Sequence, residues 1–183
     1  MAKTDEAMKE KLVKLSEISL SLDTYDDIFS DFDSRQYSER ALSDDLISEM
    51  KRAIRDKPSG DVVLNFIMPM DMRNSEDEQL IKKRLKEHFK RHHNFLHKEI
   101  NLNRTKGIGI VGLGVLLMLA ATYVYKFISL HIALMTLFLF LEPAGWFTVW
   151  TGLEKIMNPS GTKNAEFEFY EKLSKVEINF LSY

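Results

Sequence analysis

The chain has 183 residues, with 25 Lys/Arg against 27 Asp/Glu, and it contains no cysteine. Disulfides and thiolate metal sites are thereby excluded, and neither a nucleic-acid partner nor a cofactor is expected. The charge is uneven: residues 1–61 carry 10 Lys/Arg against 15 Asp/Glu, residues 62–106 carry 10 against 6, and residues 107–183 carry 5 against 6.

The N-terminal polar segment, residues 1–16, has no apolar core, which argues against a cleaved signal peptide. Glu6–Leu15 could form a short helix. Residues 17–74 read as a βαβ unit. In Glu17–Asp23 the apolar Ile18, Leu20 and Leu22 alternate with serines, the period of a half-buried strand. An acidic, aromatic-dotted loop follows, from Asp23 to Arg40. It lacks the turn glycine and the closing glutamate of an EF-hand, so it is expected to be a solvated loop or a partner surface.

Ser43 is placed to cap a helix, with Asp44 and Asp45 in its first turn. Leu46, Ile47, Met50, Ala53 and Ile54 give it one apolar face, and Pro58-Ser59-Gly60 should stop it. The apolar run Asp61–Met68 suits a buried strand. Strand, helix, strand at this length predicts two parallel strands.

Ser75 with Glu78 fits a capping box that opens a long basic helix over residues 75–106. Its apolar residues recur at helical spacing, and no Pro or Gly follows until Gly107, so the helix should continue into the next segment, with a break expected near Asn101–Asn103. Run on to Tyr125 it would be a rigid strut about 75 Å long at 1.5 Å per residue. His88, His92, His93 and His97 form two i, i+4 pairs, a spacing that can hold zinc, but Lys90, Arg91 and Lys98 would repel a cation. The preferred reading is a basic helix facing anionic lipid headgroups, with Lys90, Arg91, Lys98, Arg104 and Lys106 as contacts and no metal.

Residues 107–153 are the apolar heart of the chain. Gly107–Tyr125 has no charge for 19 residues, and Phe127–Leu141 has none for 15. A bilayer core takes roughly 20 apolar helical residues, so a transmembrane hairpin is predicted, spanning residues 107–125 and about 128–150 and turning near Lys126. A G-x-G-x-x-G spacing begins at Gly107, but without a preceding strand it reads as helix packing and not as a nucleotide fingerprint. Gly109, Gly112 and Ala120 share a face of the first span, and Gly145 lies on the second. Glu142 is the residue to single out, since an intramembrane carboxylate is costly and rarely idle. Pro143 should kink the helix there. His131, Glu142 and Gly145 fall on one stripe that is expected to face protein or water, although Trp146 and Trp150 would place Glu142 near the headgroups if they mark the interface.

Residues 154–183 should return as a helix, Asn164–Ser174, and a strand, Lys175–Leu181, completing a three-stranded sheet. The basic flank Lys82–Lys106 predicts that both termini are cytoplasmic.

Two segments carry a resemblance. Phe29–Ile47 (FSDFDSRQYSERALSDDLI) resembles an FDPRP…ER segment, and Leu141–Ile156 (LEPAGWFTVWTGLEKI) a GW…W..LE second-span segment, of an uncharacterised family of prokaryotic two-span membrane proteins. Asp33, Arg35, Glu39 and Arg40 match the first pattern. Glu142, Gly145, Trp146, Trp150, Leu153 and Glu154 match the second. The chain departs at Ser34 and at Asn158–Gly161. The resemblance implies architecture and no activity.

The expected fold is therefore an α+β membrane protein, a two-helix hairpin inserted in a small cytoplasmic α/β domain through a long helix. No catalytic set emerges. The leading expectation is a homo-oligomer of the cytoplasmic membrane in which Glu142 lines or gates a cation path. The first alternative is a membrane-anchored scaffold whose loop, through Asp33, Arg35, Glu39 and Arg40, binds an unknown protein partner. A membrane-bound enzyme is the second.

Overall fold

The computed structural model describes residues 17–55, 62–127 and 131–183. The short helix expected over Glu6–Leu15 and the stop at Pro58–Gly60 lie outside them. The fold is mostly helical, with one small parallel sheet and two long apolar helices. The chain divides into two compact units, residues 17–94 with Ala165–Tyr183, and Phe95–Asn164.

The first unit is built on strands β1 (Glu17–Ser21), β2 (Val63–Met68) and β3 (Glu177–Ser182), in the order β1-β2-β3 with every pair parallel. The register aligns Ile18, Leu64 and Ile178, then Leu20, Phe66 and Phe180, so one face of the sheet carries the apolar residues. Leu64, Phe66 and Met68 of the central strand are completely enclosed. Three helices, with Tyr25, Ile28 and Phe29 of the segment after β1, pack onto this core. Helix α1 (Asp44–Arg55) buries Leu46, Met50 and Ile54, the i, i+4, i+8 stripe expected of it. The start of α2 (Ser75–Tyr125) buries Ile81, Leu85 and Phe89. Helix α4 (Asn164–Ser174) buries Phe169, Tyr170 and Leu173. The terminal strand thus joins the same sheet as the first two.

Helix starts follow local chemistry. Ser43 Oγ accepts the Leu46 amide at the head of α1. At the head of α2 the cap is one residue earlier than the sequence suggests. Asn74 Oδ1 accepts the Glu76 amide at 3.0 Å, and its carbonyl accepts the first helical amide, from Glu78. Ser75 is then inside the helix, and Glu78 is released for another use. Nor does α2 break at Asn101–Asn103. It is continuous through them.

The second unit contains the rest of α2 and helix α3 (Ile132–Met157). Both helices are long and apolar enough to cross a membrane. α2 ends at Tyr125, beside the expected turn at Lys126, and α3 starts at Ile132 with His131 in extended conformation before it. α3 runs on past Trp150 to Met157 without interruption at Pro143.

Candidate functional site

The two apolar helices are held by close backbone contact, and the residues that permit it differ from those expected. A side chain at Gly114 would meet the Val149 backbone nitrogen at 2.6 Å, and one at Gly145 would meet Met118 Cγ at 2.7 Å. Gly107 lies against the Gly152 carbonyl, and Gly152 against the Val111 backbone nitrogen. Gly109 and Gly112 have nothing within 4 Å, and Ala120 is exposed while Ala121 is buried. Of the packing set predicted from sequence, only Gly145 sits in this contact. The reason is periodicity. Gly107, Gly114 and Ala121 are spaced by seven, as are Phe138, Gly145 and Gly152, and a repeat of seven keeps one seam facing the partner helix along its length. Small residues on that seam let the backbones approach.

The threonines here do not bridge the helices. Thr122, Thr136, Thr148 and Thr151 each donate to the carbonyl four residues back in their own helix.

Glu142 is exposed on α3, three residues before Gly145, so it flanks the seam that Gly145 and Gly152 occupy. It lies ten residues after Ile132 and twelve before Glu154, about 15 and 18 Å along the axis at 1.5 Å per residue. That is the middle of the apolar stretch. Trp146 and Trp150, one and two turns further on, are also exposed. His131 stands at the start of α3, outside the helix.

The acidic loop in the first unit is braced by the residues that sequence reading assigned to a partner. Asp33 accepts the Ala41 amide at 2.7 Å and grips the Arg35 guanidinium, from Nε at 2.9 Å and Nη2 at 2.7 Å. These donors hold the Asp33 carboxyl well below the usual carboxylate range, the Arg35 side chain being the largest contributor. Arg40 donates to the Ser30 carbonyl and pairs with Asp26. Arg84 reaches the Glu39 and Arg40 carbonyls from α2. Phe29 stacks on Tyr37 and bridges to Leu42. Asp33 and Arg40 are thus committed to the loop's own backbone, while Phe32 is fully exposed and Arg35 and Glu39 also stand at the surface.

The histidines belong to packing. His88 stacks on His92 at 4.2 Å, His92 on Tyr170 at 4.9 Å, and His93 on Phe167 at 5.5 Å. His88, His92 and His93 therefore face the aromatic side of α4, while Lys90 and Arg91 on the same stretch are exposed. His97 lies a turn on, beside Asn101. Among the described residues no three of His, Asp or Glu come together as a metal site.

Burial pushes the His88 imidazole down from 6.5 to about 4, helped by His92, Arg84 and Arg91. The ring is neutral in the fold but protonates near 6.5 in the unfolded chain. Stability should therefore be full above about pH 6.5 and fall as pH drops towards 4. Because the ring is only half-buried, the loss is about 1–2 kcal/mol after solvent screening. Urea unfolding of the wild type and His88→Gln at pH 7 and pH 5 should show the smaller pH dependence in the variant.

No protein-family model, curated protein or solved structure matches the chain.

Proposed function

We propose that the chain is an integral protein of the cytoplasmic membrane, of the two-span kind its Phe29–Ile47 and Leu141–Ile156 segments resemble, and that it works as a homo-oligomer with Glu142 lining or gating a cation path. α2 and α3 form the hairpin, and the basic residues Lys82–Lys106 keep both termini in the cytoplasm. The observation that carries this reading is the position of Glu142, a carboxylate exposed midway along an apolar helix. A carboxylate facing hydrocarbon costs roughly 2.5–3.5 kcal/mol at mid-span, and several copies around an axis would exchange that surrounding for water and cations. Gly109 and Gly112, open on the outside of the hairpin, offer a close-packing face for the neighbouring copy.

The mass of the purified complex and cation flux after reconstitution test this together. Four or more chains per complex are expected, with flux reduced roughly tenfold or more by Glu142→Gln as the ring of charge is lost. A monomer or dimer, or flux indifferent to Glu142, would rule the path out.

A second reading is a membrane-anchored scaffold, favoured by one observation: the rigid loop that holds Phe32 fully in solvent. There Phe32→Ser abolishes function without changing stability, and Glu142→Gln leaves function intact.

A further inference from the structure

Within the second unit a cleft of about 330 Å³ opens between α2, α3 and the turn after α3, at the low end of the roughly 300–1,000 Å³ seen for small-molecule pockets. Its charged lining is balanced, Glu99 and Glu154 against Lys155 and Lys163. Two of these four satisfy each other. Lys163 Nζ donates to both Glu99 oxygens, at 2.7 and 2.8 Å, and Asn103 Nδ2 ties the turn to α2 through the Pro159 carbonyl at 3.3 Å. The cleft is therefore a braced structure.

Glu154 and Lys155 remain, consecutive in the last turn of α3. Both side chains are exposed, and among the described residues neither has an ion-pair partner. A bare anion in the cleft would meet the Glu154 carboxylate, and a bare cation would meet the Lys155 ammonium. A ligand that carries an ammonium and a phosphate on one short linker satisfies both, with the Thr162 hydroxyl also in the lining for a phosphate oxygen, the Ser160 hydroxyl being spent on Asn164 Oδ1.

Position along the helices adds to this. Asn103 lies one turn before Gly107 and Lys155 one turn after Gly152, and Gly107 meets Gly152 where the apolar stretches of α2 and α3 begin and end. Trp150, Leu153 and Met157 leave exposed apolar surface next to that level. A polar cleft there adjoins both water and an apolar belt, which suits a headgroup whose chains continue along the helices.

We propose that this cleft binds an aminoalkyl phosphodiester, the headgroup of a zwitterionic phospholipid. The lipid source rests on the membrane reading above, and the headgroup chemistry does not.

The test uses the full chain purified in detergent and exposed to phosphatidylethanolamine, phosphatidylglycerol or soluble glycerophosphoethanolamine, with bound ligand counted by native mass spectrometry. One phosphatidylethanolamine per chain is expected, retained at least fivefold better than phosphatidylglycerol and lost to a similar extent in Glu154→Gln and in Lys155→Gln. Equal retention of the two lipids, or retention unchanged in both variants, would overturn the proposal. Soluble glycerophosphoethanolamine binding as tightly as the lipid, with the same dependence on both residues, supports the headgroup chemistry and assigns it a soluble source. A carbonate wash of cell membranes reads the membrane placement separately. A chain released by that wash refutes the membrane reading, while the soluble-ligand result still decides the cleft.

Discussion

Replacing Gly145 with alanine should weaken the pairing of the two apolar helices by about 1–3 kcal/mol, and the same change at Gly112 should leave that pairing unaltered. The contrast follows from what each new methyl group meets. At Gly145 it would lie 2.7 Å from Met118 Cγ, 3.1 Å from the Met118 backbone nitrogen and 3.2 Å from the Gly114 carbonyl. Met118 Cγ can swing aside. The backbone atoms can move only if the helices separate, which forfeits close packing along the seam. Gly114→Ala should cost more than Gly145→Ala, because its methyl would meet the Val149 backbone nitrogen at 2.6 Å. At Gly112 nothing lies within 4 Å. Unfolding in mixed micelles by a denaturing detergent measures the pairing, and the mass of the complex measures assembly. Gly112→Ala should leave the first unchanged and, if copies associate through this face, reduce the second. Equal destabilisation at Gly112 and Gly145 would show that the seam is assigned to the wrong face.

Much of the fold was legible because it rests on local period and local chemistry. Alternation in Glu17–Ser21, the apolar run of Val63–Met68 and the stripe Leu46, Met50, Ile54 each name an element and its buried side. Length made the two strands parallel, and the second crossover put the terminal strand beside them. The glycines were less legible. On α2 both 109/112 and 107/114 lie on helical faces, and composition does not say which one meets α3. The usable signal was a match between helices, the spacing of seven in Gly107–Gly114 repeated in Gly145–Gly152. The internal bonds of Asp33 and Arg40 were hidden from the sequence for a different reason. A charged residue in an acidic loop reads as surface, yet whether its oxygen or nitrogen is spent on the chain's own backbone depends on how Ser30 and Ala41 come together. The histidines were assigned by neighbouring lysines in sequence, while their neighbours in space, Phe167 and Tyr170, are more than 70 residues away.

Glu78→Ala should destabilise the first unit by about 2–4 kcal/mol, the largest single loss expected of any polar side chain there. Glu78 is 8% exposed, and its two oxygens accept from Arg73, Nε at 2.7 Å and Nη2 at 3.2 Å. The Tyr25 hydroxyl sits 3.3 Å from Oε1 and accepts the Asn74 amide at 2.8 Å. One carboxylate thereby joins the turn after β1, the entry to α2 and the cap that starts it. Removing it leaves the Arg73 guanidinium without its acceptor. Arg73 keeps 29% of its side chain exposed, so water recovers part of the loss, and the cost falls below the 3–5 kcal/mol of a fully enclosed pair. Tyr25→Phe removes only the hydroxyl and orphans the Asn74 amide, a cost of about 1–3 kcal/mol. Both changes act through one network, so the double variant should lose less than the sum of the single losses. Chemical unfolding of the three variants against the wild type measures each term. Simple additivity would mean that Glu78 and Tyr25 act independently.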